Sequence, residues 1–142
     1  MMPLVLLFLL FAPVPPSSLD QVKAEPNPER RAKLAIDYAA VAEKGAETAY
    51  ASGDLDATGA MLKNVAEAME IARDSLAASG KKPGRSPGTY KYGEQRSREM
   101  LVRLGDLQRK MDETERELIN TPMATMQEIH DTWFEGIMGK NK

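Results

Sequence analysis

The chain has 142 residues, no cysteine, one histidine and a formal net charge of −2. The missing cysteines exclude disulfides, thiolate metal centres and cysteine nucleophiles together, and leave packing alone to hold the fold. The slightly negative balance, with no recognition motif, argues against nucleic acid as a partner.

The chain opens on Met1 and Met2 and runs uncharged over residues 3–14, rich in Leu and Phe. A membrane-spanning helix needs ~20 apolar residues, so this shorter run reads as the hydrophobic region of an export signal. No Lys or Arg precedes it, and the terminal amine supplies the only positive charge. Val22 with Ala24 marks one cleavage site, and a cut near Ser18 is the other. Residues 1–24 are therefore assigned to signal and linker, and residues 25–142 to one helical bundle domain of ~118 residues, enough for a modest core. An uncleaved anchor and a misplaced start codon are the alternatives. A cysteine-free exported domain suits a periplasmic or secreted bacterial protein.

Periodicity and punctuation divide the remainder into helices. Asn27, Pro28 and Glu29 combine a side-chain cap, a first-position proline and an early acid, predicting a helix that lasts to Ser52 before Gly53. Leu34, Tyr38, Val41 and Ala49 are expected on its inner face, with Ala35, Ala39, Ala42 and Ala46 beside them. Asp54 caps a second helix, in which Leu55, Leu62, Met69 and Leu76 keep a coiled-coil heptad with Val65 and Ala72 between, and Gly80 ends it.

A turn rich in glycine and proline follows, and Ser86 with Pro87 is expected to start a third long helix. Tyr90, Ser97, Leu104, Met111 and Leu118 carry its heptad as far as residue 118. Acid-first pairs at i,i+4 (Glu94 with Arg98, Glu99 with Arg103, Asp106 with Lys110, Asp112 with Arg116) are expected along its outer face. Gly59 and Gly93 sit near seam positions and predict close helix contact. Thr121 and Pro122 open a shorter fourth helix that ends near Met138. The fold class is all-α, an antiparallel bundle of three long helices joined by short turns, plus the fourth.

Charge is uneven. Residues 81–110 hold nine basic side chains against three acidic ones, a net of +6, while residues 25–80 and 111–142 each carry a net of −4. Lys81, Lys82, Arg85 and Lys91, with Tyr90 and Tyr92, form a candidate surface for anionic lipid, cell-wall polymer or an acidic envelope protein. The plainer alternative is internal complementation, with Glu67, Glu70 and Asp74 of the second helix facing Lys91 and Arg98.

The fourth helix carries two apolar stripes side by side. Met126, Ile129, Trp133 and Ile137 form one, and Met123, His130, Phe134 and Met138 the other. Such a broad arc either fills a groove between two helices or leaves one stripe, with Trp133 or Phe134, free to bind. Met123, Met126 and His130, at i, i+3 and i+7, also offer a soft-ligand set for Cu(I) or Ag(I), although a methionine stripe at this spacing ordinarily packs a core. No cofactor is implied otherwise. His130 has no nucleophile in a recognisable context, the glycine-rich turn lacks a Gly-Lys-Ser/Thr ending, and paired Glu-x-x-His motifs for a di-iron bundle are missing.

The stretch Ala49, Tyr50, Ala51, Ser52, Gly53, Asp54 and Leu55 resembles the turn of a tetratricopeptide unit, but the helices are about twice as long and no second copy follows. Asn27-Pro28-Glu29-Arg30, Ala77-Ala78-Ser79-Gly80-Lys81, Ser86-Pro87, and the ending His130-Asp131 with Gly136-Ile137-Met138-Gly139-Lys140 make the chain similar to small exported bacterial helical proteins of unknown function. That resemblance implies a helical fold and no activity. Small periplasmic helical chaperones are similar in size, but their Leu-Thr-x-x-Gln repeat is missing. The expectation is a non-enzymatic binding or structural protein of the envelope that acts through the basic turn and the last helix, with oligomeric state left open.

Overall fold

The computed structural model describes residues 18–139, and all regular structure among them is helical. The helices are α1 (Leu19–Lys23), α2 (Pro28–Ala51), α3 (Leu55–Ala78), α4 (Gly88–Lys110) and α5 (Asn120–Ile137), with a 3-10 turn at Glu115–Leu118. The apolar run at residues 3–14 lies outside the described residues.

Local chemistry sets most of the ends. Asn27 accepts a hydrogen bond from Arg30 N at 3.0 Å with Pro28 in the first position, and Asp54 accepts one from Ala57 N at 3.0 Å. Gly53 and Gly80, at φ of 77° and 72°, turn the chain out of α2 and α3 through the left-handed region, where a side chain is strained. The last helix begins at Asn120, one residue before the expected Thr121 cap, and no side chain caps it.

α2 pairs with α3 and α4 with α5 as antiparallel hairpins, with α2 beside α4 and α3 beside α5. Successive helices reverse direction, so α2 and α4 run the same way. Contacts of Glu29 with Thr89, Glu43 with Arg103 and Tyr50 with Lys110 trace that alignment from end to end. The consecutive helices α3 and α4 are not close neighbours, contrary to the expectation from short turns: residues 79–87 form a connection long enough to cross the bundle diagonally.

The core follows the heptads of α3 and α4. Leu62, Val65, Met69, Ala72 and Leu76 are buried on α3, and Met100, Leu104 and Leu107 on α4. On α2 the expected face is rotated. Val41 is 49% exposed, whereas Ala32, Ala35, Ile36, Ala39, Ala42 and Ala46 are buried, because a row of alanines lets the α3 backbone approach more closely than larger side chains would. Gly93 serves the same end on α4. A Cβ built there would lie 2.6 Å from Trp133 Cζ3 and 3.2 Å from Ile36 Cδ1, so glycine makes the room in which the tryptophan of α5 meets α2.

The third long helix stops at Lys110, not near residue 118. Asp112 accepts from Glu115 N at 2.7 Å and Glu115 accepts from Asp112 N at 3.0 Å, a reciprocal capping box that starts a new turn. Met111 and Leu118 keep their apolar role on either side of the break. The expected i,i+4 pairs are re-sorted by this and by neighbouring helices. Only Glu94 with Arg98 forms, at 3.6 Å, while Arg103 turns to Glu43, Glu99 to Arg96, Asp106 to Arg109, and Arg116 to the Gln108 carbonyl.

Candidate binding surface

The basic turn begins where α3 ends, and its first members are used internally. Lys81 Nζ bonds the Glu29 carboxylate, which also accepts from Thr89 Oγ1 at 2.8 Å. These hydrogen bonds, that from Lys81 first, hold the Glu29 carboxyl below its usual range. Tyr90 is buried and donates to the Lys81 carbonyl at 2.7 Å, so it fixes the turn from beneath. Tyr92 donates to Asp37 of α2, with Lys33 and Arg96 against its ring. Burial, then the Asp37 hydrogen bond, pushes the Tyr92 hydroxyl up to about 12, and it stays protonated as a donor. Both tyrosines thus hold α4 in place and offer little free surface.

Lys82, Arg85 and Lys91 remain exposed, with no ion pair among the described residues. The acidic face proposed to complement Lys91 and Arg98 lies elsewhere: Glu67 pairs with Lys23 at 3.1 Å, Asp74 with Arg73 at 3.0 Å, and Arg98 with Glu94.

The last helix divides between core and surface. Met126, Ile129 and Trp133 are buried, Trp133 at 2% exposure against Gly93, whereas Phe134 is 44% and Met138 64% exposed. The turn and this outer stripe meet. A Cβ on Gly136 would lie 2.7 Å from Pro83 Cγ, so glycine lets the turn seat on the end of α5. Next to that contact, Lys91, Arg98, Phe134 and Met138 border an open cleft of about 210 Å³. Compared with family models, curated proteins and solved structures, the chain matches none. The surface sets exposed cations beside exposed apolar side chains, the pairing that anionic amphiphilic surfaces take up.

Of the soft-ligand set, Met126 is in the core, Met123 is half-buried, and His130 is half-buried beside Phe134 and Glu94 of the cleft wall. His130 Nδ1 lies 3.1 Å from Asp131, its ring stacks on Phe134, and Nε2 faces Glu94 at 3.9 Å without a hydrogen bond. Among the described residues, no group of three or more His, Asp or Glu is placed to hold a metal, and no helix is long and apolar enough to cross a membrane.

Two features escaped the sequence reading. One is the approach of Glu94, a wall residue of the cleft at 13% side-chain exposure, to His130 at 3.9 Å, beside its expected pairing with Arg98. Glu43 lies wholly within the α2 core, 3.9 Å from Arg103. Its position four residues after Ala39 and three before Ala46 was the available signal.

Proposed function

We propose that the protein is an exported, non-enzymatic binding protein of the bacterial envelope that docks to anionic surfaces through the end of the bundle bearing residues 79–91 and the outer stripe of α5. Export rests on the apolar run at residues 3–14. The observation that carries the docking surface is the cleft where Lys91, without an ion pair among the described residues, borders the exposed Phe134 and Met138, next to the seat of Pro83 on Gly136 that brings the turn bearing the exposed Lys82 and Arg85 to the end of α5. Cations supply attraction to phosphate or carboxylate groups, and the two apolar side chains supply insertion. Trp133 is withdrawn from the binding set by its burial against Gly93.

The test is cosedimentation with phosphatidylglycerol vesicles and with cell-wall fragments at low salt, phosphatidylcholine vesicles serving as the control. Each surface cation contributes ~1 kcal/mol to binding an anionic membrane, so Lys82→Glu with Arg85→Glu lowers affinity at least about ten-fold. Equal binding by wild type and this variant rejects the reading. A second reading, soft-metal binding through Met123, Met126 and His130, draws support from the buried Nε2 of His130 without a hydrogen-bond partner. It is dropped if Cu(I) or Ag(I) leaves the His130 and methionine methyl NMR signals unmoved.

A further inference from the structure

Along the side of the bundle, from near the end opposite the basic turn to past the middle of α3, an open groove of about 660 Å³ runs between α3 and the start of α5. Its place follows from the topology: Tyr50 donates to the Lys110 carbonyl and to Glu115, so the α2–α3 and α4–α5 connections share one end, and residues 79–87 occupy the other. Gly59, Lys63, Ala66 and Glu70 fall on one face of α3 at spacings of four, three and four, covering ~16 Å of helix. At Gly59 the walls approach closely, since a Cβ there would lie 3.2 Å from Leu118 Cδ2.

The groove is amphipathic with the reverse sign to the basic end. Ala66, Leu118 and Pro122 make it apolar, and Glu67, Glu70 and Glu117 outnumber Lys63. Glu67 is shared with Lys23, but Glu70 and Glu117 make no ion pair among the described residues, as Lys82, Arg85 and Lys91 make none at the far end. One molecule thus carries two surfaces at different ends of α5, each mixing apolar side chains with unpaired charge, and the two are complementary in sign.

We infer that the groove receives the basic end of a second copy of this chain: Phe134 and Met138 of one copy enter the apolar groove of the next, while Lys82, Arg85 and Lys91 face Glu70, Glu117 and Glu67. This rests on the reading of the basic end as a docking surface. The two patches differ, so the contact is heterologous and does not close at a dimer but extends into a ring or an open row. Its exposed ion pairs are individually weak and screened by salt, so association is concentration-dependent and lost at high ionic strength.

Sedimentation velocity of the chain, as processed by an expressing host, tests this. At low salt the average mass rises past dimer with concentration, and at high salt it falls to monomer. A turn variant (Lys82→Glu, Arg85→Glu) and a groove variant (Glu70→Lys, Glu117→Lys) alter only exposed side chains, and circular dichroism checks that both fold. Each alone sediments as a monomer, and their mixture associates again because opposite charges face once more. A wild type that stays monomeric at low salt overturns the inference, as does a groove variant that associates like wild type. Vesicle binding separates this from the function proposed above: the groove variant keeps it, so its loss in the turn variant alongside a monomeric wild type leaves the docking surface standing and removes only the second copy as its partner.

Discussion

Glu43 has no exposed surface, and neither of its carboxylate oxygens has a hydrogen-bond partner. Burial first, and then the neighbouring Glu47, push its carboxyl up to about 7, against the opposing pull of Arg103. The folded state therefore holds this proton at a pH where the unfolded chain, with an ordinary carboxyl, has lost it. That contribution is complete below the ordinary carboxylate pKa and is lost as pH rises towards about 7. Glu43→Gln removes the charged form, and Arg103, nearly half-exposed, recovers water in place of its partner. The expected outcome is a variant more stable than wild type at pH 8 by about 1 to 3 kcal/mol and equal to it near pH 4, read by urea denaturation across pH. A wild-type pH profile no steeper than the variant's sinks this account. Gly93 makes a second residue-level case. Alanine in place of a helical glycine ordinarily gains ~1 kcal/mol, but here the added carbon meets Trp133 at 2.6 Å, and Gly93→Ala is expected to destabilise by about 1 to 3 kcal/mol in the same assay. Gly93 was legible as a close-contact position from its place beside the seam; its partner was not, because no local pattern says which helix lies opposite.

Competition between long-range periodicity and short-range capping decides the end of α4. The heptad running through Met111 to Leu118 favours one continuous helix, and that pattern carries the sequence expectation. Asp112 and Glu115, three residues apart, satisfy each other's backbone N–H groups and favour a fresh start. The local pair prevails because Met111 and Leu118 still reach apolar surroundings after the break, Met111 at 3% exposure and Leu118 half-buried over Gly59. Asp112→Ala is thus expected to cost about 1 kcal/mol of stability, where loss of a surface i,i+4 pair with Arg116 would cost ~0.2 to 0.5 kcal/mol. Thermal denaturation of Asp112→Ala beside Arg116→Ala separates the two, and equal small effects would favour the continuous helix. The capping pattern was present in the sequence. Helix existence and apolar seams were legible because they depend on spacing alone, while breaks, pairings and the diagonal α3–α4 crossing depend on which elements meet.

At the scale of the whole molecule, α1 belongs to the folded unit. It precedes residue 25, yet packs on α2 and α3, with Val22 wholly buried and Lys23 bonded to Glu67. The strand of chain after it is held as well: Arg31 donates to the Glu25 carbonyl at 3.0 Å and to Ser75 Oγ at 2.8 Å, tying the entry of α2 to the far end of α3. Ser18 caps α1 by accepting from Gln21 N at 3.2 Å, so the capped helix is complete from residue 18 onward. Under the export reading, a cut near 24 removes α1 and uncovers the Val22 site, whereas a cut near 18 leaves it intact. Burying a valine side chain is worth about 1.5 to 3 kcal/mol, a large share of what a small helical domain holds in reserve. A chain starting at Ser18 is therefore expected to unfold at higher denaturant than one starting at Glu25, and the Val22→Ala variant of the longer chain to fall between them. Under the same export reading, mass spectrometry of protein isolated from an envelope fraction is expected to give an N-terminus close to residue 18. Recovery of a chain beginning at Glu25 with unchanged stability would mean that the α2–α3 hairpin closes over the Val22 site without α1.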